Sequence, residues 1–396
     1  MEDILSLIGR TKPLFVNDLF ELESDLASLC KNARFLVLGG AGSIGQAVTK
    51  EIFKRSPKAL HVVDISENNM VELVRDLRSS YGYNAKEFKT FCMDIGSVEF
   101  ECYFSQQETF DYVLNLSALK HVRSEKDPFT LMRLINVNII NTVKTIELSI
   151  ANGVKKYFCV STDKASNPVN MMGASKRIME FYLARYQQDI EISTARFANV
   201  AFSDGSLPHG FNQRILKKQP IVAPKDVKRY FVTPEESGML CLLSTLYGKA
   251  GEVFFPKLSD ELHLITFSEV ARKFLKQRGL EVREYKTEEE ARNSFNEGIG
   301  DNEWPCLFTT SDTTGEKGFE EFFTQKEKVD FERFPSLGII VNTEQRSEHE
   351  LQSFLDNIAS FQKNGLWSKK EIVNEFMKLL PQFSHLETGK YLDDKM

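Results

Sequence analysis

The sequence predicts an α/β protein built on a doubly wound parallel sheet, with a smaller mixed α/β region and helical extensions at both ends. Three observations carry this. Apolar runs of strand length alternate with helical patterns without a break from residue 34 to 200. The first run, Phe35-Leu36-Val37-Leu38, passes directly into Gly39-Gly40-Ala41-Gly42-Ser43-Ile44-Gly45 and then into a helical pattern through Val48, Ile52 and Phe53. A later run, Tyr157 to Val160, leads into Ser161-Thr162-Asp163-Lys164, polar residues at the carboxyl end of a strand, where open α/β sheets place their reacting groups.

In chain order, residues 1–30 read as an amphipathic extension, with Leu19, Phe20, Leu22, Leu26 and Leu29 at roughly helical spacing. Residues 31–200 form the dinucleotide-binding half. Its second strand, Leu60 to Val63, ends in Asp64; the third, Phe88 to Met93, in Asp94-Ile95; and the fourth, Tyr112 to Leu116, in Ser117-Ala118. A helix is expected from Pro128 to about Asn152, apolar on more than one face and therefore buried on both sides. Together with the helix after Met172 it offers a subunit contact, so a homo-oligomer is expected. Residues 201–345 form a substrate-binding region in which 280–305 reads as a polar surface loop or lid edge. Residues 346–396 form a helical extension, with helices from about Glu348 to Phe361 and from Ser368 to Leu380.

Composition narrows the function. The chain has 396 residues, 42% hydrophobic and 27% charged, the balance of a soluble globular protein. A net charge of −6 speaks against nucleic-acid or acidic-membrane binding. The six cysteines are scattered, as expected of reduced thiols in a cytoplasm, and no metal site is expected. The opening MEDILSLIGR lacks the apolar core of a signal peptide, and no apolar run is long enough to span a bilayer.

Gly39, Gly42 and Gly45 permit a tight turn and close approach of a pyrophosphate. Ser43, Ile44 and Gly45 then present backbone N–H groups at a helix amino terminus. Asp64, about twenty residues further on, suits the two ribose hydroxyls of an adenosine and repels a 2′-phosphate, which points to NAD. Asp94 and Ile95 are placed for the adenine, and Ser117 and Ala118 leave room for the ribose and nicotinamide. Lys176 lies one helical turn after Met172. That is the Tyr-x-x-x-Lys spacing of short-chain dehydrogenases, with a thioether, unable to exchange a proton, in place of the phenol.

Taken together, GGAGSIG, ALKHV with Glu125 and Pro128, STDKA, MGASKR, RFANV, Arg229-Tyr230-Phe231 and GEKGFEEF resemble the UDP-N-acetylglucosamine 4,6-dehydratases. These belong to the nucleotide-sugar branch of the extended short-chain dehydrogenases, which have a Rossmann fold. The resemblance runs from Gly39 to about Phe323, with departures at Arg123, Ile139-Ile140 and Ala198. It implies a cytoplasmic enzyme of bacterial glycan and polysaccharide pathways that oxidises sugar carbon 4 with NAD, eliminates water across carbons 5 and 6, and returns the hydride to carbon 6. Lys164 would be the base at carbon 5 and Asp163 the acid at carbon 6. Thr162 would bond the 4-oxygen, and Lys176 would hold the nicotinamide ribose. Met172 stands where the family's inverting members tend to keep tyrosine, so retention at carbon 5 is expected. Arg196, Arg229 and Asn199 would meet the substrate diphosphate or sugar, and Lys120 the sugar. Either Thr162 through a water or Asp163 would deprotonate the 4-hydroxyl. The competing readings are a carbon-5-inverting dehydratase, a 4-epimerase of a UDP-N-acetylhexosamine, and a non-catalytic NAD-sensing protein.

Overall fold

The structure is a computed structural model that describes residues 4–259, 262–341 and 344–390. Nine strands form the main sheet: β1 (Arg34–Leu38), β2 (Ala59–Asp64), β3 (Phe88–Cys92), β4 (Tyr112–Asn115), β5 (Lys156–Thr162), β6 (Glu191–Phe197), β7 (Glu252–Pro256), β8 (Val329–Asp330) and β9 (Leu337–Ile340). Their order is β8-β9-β7-β6-β5-β4-β1-β2-β3. The seven strands from β7 to β3 run parallel, and β9 and β8 close one edge antiparallel. The expected doubly wound sheet is therefore present, and its order reverses between β1 and β4. That reversal opens the crevice in which such sheets bind ligands.

Burial explains the strand assignments. All residues of β1, β2 and β7 are buried, as required of parallel strands covered on both faces. One face carries the helices Val16–Lys31, Ser43–Phe53, Glu67–Tyr81 and Pro234–Tyr247 over a core that includes Phe35, Val37, Val48, Leu60, Leu240 and Phe254. The other carries Val98–Ser105, Asn141–Ala151 and Met171–Tyr186 over Leu36, Leu38, Val113, Tyr157 and Ile192.

Four expectations change. First, a boundary at residue 200 cuts the main sheet: β7, β8 and β9 lie beyond it, and Pro234–Tyr247 packs against Ser43–Phe53. The smaller lobe is instead a three-stranded parallel sheet of Ile221–Pro224, Glu303–Thr309 and Glu281–Glu284, with Leu207–Leu216, Phe267–Gln277 and Glu288–Glu297. Second, residues 280–305 are not a loop. They supply two of those strands and a helix whose capping box joins Thr287 and Glu290. Third, the long helix is interrupted by a π-turn at Asn136–Ile140, between Pro128–Ile135 and Asn141–Ala151.

Fourth, the apolar residues offered to a second subunit are already covered within the chain. The helices Glu348–Asn364 and Lys369–Leu379 form a hairpin whose Leu351, Phe354, Ile358, Ile372 and Phe376 pack on Leu131, Leu134, Ile139, Ile178 and Phe181. The Tyr182 hydroxyl donates to the Leu351 carbonyl at 2.8 Å. Packing within the chain therefore accounts for the apolar faces of these helices. The amino-terminal segment is bound as well. Arg10 makes a two-pronged buried ion pair with Glu236, at 2.6 and 2.8 Å.

Candidate active site

The polar stretch after β5 becomes a site because the strand stops there. Thr162 is still extended, and the chain then coils into a 3₁₀ turn, Asp163–Ala165, with the Thr162 hydroxyl accepting the Lys164 N–H at 3.4 Å. On a straight strand, Asp163 and Lys164 would point to opposite faces. The turn brings them together: Lys164 Nζ lies 2.9 Å from Asp163 Oδ1, and Thr162 Oγ1 donates to the same oxygen at 2.9 Å. Lys164 Nζ also donates to Asn199 Oδ1 at 3.3 Å. Asp163 is buried, whereas Thr162 and Lys164 are partly open.

The following helix, Met171–Tyr186, is pressed against this turn. A Cβ on Gly173 would stand 2.6 Å from the Lys164 carbonyl oxygen, so glycine allows the contact. Asn170 caps the helix by accepting the Gly173 N–H at 2.8 Å. One turn on, the fully buried Lys176 ammonium donates to the Val160 carbonyl at 3.0 Å, and burial pushes its pKa below the ordinary lysine range. Met172 is buried in the apolar cluster beneath the carboxyl-terminal hairpin, where its thioether contributes packing.

The glycine-rich turn lies at the switch point. Gly39 has φ +71° and fits so closely under β4 that a Cβ would meet Ser117 N at 2.7 Å. A Cβ on Gly45 would stand 2.1 Å from the Gly39 carbonyl oxygen. Gly45→Ala is therefore expected to cost about 1–3 kcal/mol of unfolding free energy, read by chemical denaturation, as the turn is forced apart. Gly42 is different: its nearest neighbour would be 3.6 Å away, and no side chain caps the helix that starts there. A cradle with backbone N–H groups is left open around Ser43, Ile44 and Gly45. Asp64 is buried and accepts the Ala41 N–H at 2.9 Å and the Ser66 N–H at 2.8 Å, which fixes the turn. Asp94 accepts from Gly96 N at 2.8 Å and Arg133 at 2.9 Å, beside the buried Ile95. Ser117 and Ala118 line the crevice half-buried.

On the expected substrate side, Lys120 is exposed, with Nζ 3.5 Å from Ser203 Oγ. Arg196 does not face a diphosphate. It is wholly buried, with Nε and Nη2 on Glu180 at 2.9 and 2.8 Å and Nη1 and Nη2 on Glu327 at 2.9 and 2.7 Å. This arginine ties β6 to the helix Met171–Tyr186 and to the segment before β8, because two buried carboxylates need the charge more than the crevice does. Arg229 is also buried. Its Nη1 donates to the Lys228 and Lys317 carbonyls at 2.8 and 2.9 Å, and its Nη2 lies 3.5 Å from Glu316. As a substrate contact it would require the 315–318 segment to move.

One residue not singled out from the sequence joins the site. Glu320 is buried, its carboxylate shares a charge environment with Asp163, Lys164, Lys317 and Arg229, and burial raises its pKa. Local sequence holds only a faint signal for it, Lys317 three residues earlier.

Comparison with known proteins identifies the family. The family model described as "Polysaccharide biosynthesis protein" matches residues 35–342. The chain belongs to that family. An uncharacterized membrane protein of Methanocaldococcus jannaschii is 32% identical over 262 residues, 63% of this chain and 75% of that one. The inverting UDP-N-acetylglucosamine 4,6-dehydratase of Campylobacter jejuni is 29% identical over 233 residues, 56% of this chain and 66% of the enzyme. The capsular polysaccharide biosynthesis protein CapD of Staphylococcus aureus is 29% identical over 67% of this chain, but the match spans only 46% of that longer protein. Among solved structures, Pen from Bacillus thuringiensis superposes with a TM-score of 0.63 at 24% identity, covering 83% of this chain and 98% of Pen, a likeness of fold. No helix among the described residues is long and apolar enough to cross a membrane, and no cluster of metal-ligating residues occurs among them.

Proposed function

We propose that the chain is an NAD-dependent nucleotide-sugar 4,6-dehydratase that acts on UDP-N-acetylglucosamine, with retention at carbon 5. The observation that carries this reading is the break at the end of β5, which gathers Thr162, Asp163 and Lys164 beside the sheet's switch point, with the buried Lys176 on the helix that follows bonded to the Val160 carbonyl of the same strand. Acid and base are thereby held side by side where a sugar ring can meet both.

The residues present fit the cofactor. The open cradle at Gly42, Ser43, Ile44 and Gly45 suits a pyrophosphate, Asp64 at the end of β2 would meet ribose hydroxyls, and Lys176 would hold the nicotinamide ribose. Bound there, NAD would supply a reversible hydride acceptor. The chain's own groups move the protons. The Lys164 amine takes the proton from carbon 5, Asp163 protonates the departing 6-hydroxyl, and the Thr162 hydroxyl holds the 4-oxygen after turning from Asp163. Asn199, already on Lys164, orients the amine.

The test is a mass spectrum of the purified protein incubated with UDP-N-acetylglucosamine. A product lighter by one water is expected. An isobaric product would favour a 4-epimerase instead, and silence across a panel of nucleotide sugars would overturn the reading. A second reading, inversion at carbon 5, is favoured by the Campylobacter relatives' description as inverting. Deuterium incorporated from solvent at carbon 5, with proton coupling constants of the product, separates the two.

A further inference from the structure

Residues 202–206 carry the chain from the short strand Asn199–Val200 to the helix Leu207–Leu216 of the smaller lobe, and this crossing is tied on both sides. Toward the main sheet, the Asp204 N–H donates to the Ser43 hydroxyl at 2.9 Å. Lys120, on the loop after β4, places Nζ 3.5 Å from Ser203 Oγ. Gly205, with φ +71°, lies so close to that loop that a Cβ would stand 3.0 Å from His121 Nε2. Toward the smaller lobe, Phe202 stacks on Phe274, with ring centroids 6.0 Å apart and 24° between the planes. Phe274 belongs to the core of that lobe, together with Phe211 and Val270. Phe202 adopts φ +54° in doing so, a left-handed conformation that persists in a bulky residue only where the surroundings fix it from several sides. Ser206 then caps the helix by accepting the His209 N–H at 3.3 Å.

We propose that residues 202–206 are a latch that couples the dinucleotide cradle to the smaller lobe, with Ser43 as its anchor. The inference rests on the reading of the cradle as a cofactor site. Ser43 is the shared residue: its N–H belongs to the open cradle at the start of the helix Ser43–Phe53, and its hydroxyl holds Asp204. An occupied cradle steadies the helix start that carries this hydroxyl. It thereby steadies Asp204, and through Phe202 and the Ser206 cap it steadies the lobe. A lobe already ordered by one ligand costs less to order for a second, so the two sites bind cooperatively without a large change of shape. Lys120 touches the same latch from the expected substrate side. The coupling is reciprocal, so a sugar nucleotide that orders the lobe tightens the cradle by the same factor.

The test follows amide hydrogen exchange by mass spectrometry in the full-length wild type, Ser43→Ala and Ser43→Thr, each with and without NAD. In the wild type, NAD is expected to slow exchange by about fivefold or more in the cradle, residues 39–47, and also in residues 203–216. In Ser43→Ala the slowing in 39–47 is expected to remain and that in 203–216 to vanish. Ser43→Thr keeps the hydroxyl and is expected to restore it. UDP affinity, measured by calorimetry, is expected to rise by about fivefold or more when NAD is present in the wild type, and to stay level in Ser43→Ala. Slowing confined to 39–47 in the wild type, equal slowing of 203–216 in Ser43→Ala, or a wild-type UDP affinity indifferent to NAD would overturn the latch and leave the cofactor reading in place. No slowing in 39–47 would remove the cofactor reading and the coupling with it. If UDP does not bind, the nucleotide-sugar reading fails, and the exchange in 203–216 still decides the latch.

Discussion

Asp163→Asn is expected to lower the dehydration rate by about 10²–10⁴-fold while leaving the fold intact, measured as kcat with UDP-N-acetylglucosamine. The substitution keeps the shape of a side chain that is 1% exposed. The single oxygen that receives both Thr162 Oγ1 and Lys164 Nζ can still be an amide carbonyl. The charge beside Lys164 is lost, and with it the proton donor, since an amide cannot deliver a proton to a leaving hydroxyl. Lys164→Met is expected to fail at the preceding event, so it should also abolish exchange of the carbon-5 proton with solvent. Full-speed turnover by Asp163→Asn would remove the acid role from this residue.

Arg196→Met is expected to cost about 3–5 kcal/mol of stability and to leave the substrate KM of any folded fraction unchanged. The cost comes from Glu180 and Glu327, which lose the cation held between them, although Arg177 still bonds Glu180 at 2.9 Å. The pH dependence follows from sign. Glu180 is buried, and Arg196, with Arg177, outweighs that burial and holds its pKa down at about 2, so its share of stability is present above the usual carboxylate range and fades as pH falls toward 2. In Arg196→Met that depression is largely lost. The deficit is therefore greatest at neutral pH and shrinks in acid, which denaturation at pH 7 and pH 4 would resolve. A large rise in KM with unaltered stability would restore the substrate-binding role expected from the sequence.

What the sequence made legible was whatever depends on neighbours along the chain. The glycine turn, Asp64 at a strand end, and the Asp163–Lys164 pair at the end of β5 each lie within a single strand–turn–helix passage, so local sequence pointed to them, and the family resemblance supplied the expected roles of the last two. The carboxyl-terminal helices were legible from periodicity, and they are found at Glu348–Asn364 and Lys369–Leu379. Distant partnerships were not. Nothing near Arg196 announces Glu327, 131 residues away, which turns a plausible phosphate ligand into an internal strut. Residues 281–284 read Glu-Val-Arg-Glu and looked like loop because they form the mostly exposed edge strand of a small parallel sheet. Glu320 was hidden for the same reason as Glu327: its meaning comes from a turn more than 150 residues earlier in the chain, to which its neighbour Glu321 is bonded.

Residues 385–390 form a strap over the start of the helix Met171–Tyr186. Leu386 donates to the Val169 carbonyl at 2.9 Å and accepts the Gly315 N–H at 2.8 Å, and Lys390 accepts the Thr314 N–H. His385 lies 3.3 Å from the buried Glu125, whose other oxygen receives the N–H of Met171. The entry into the helix that carries Lys176 is thereby held from two sides, by Glu125 on one and by this distal strap on the other, so removing residues 384–390 is expected to loosen that helix start without disturbing the main sheet.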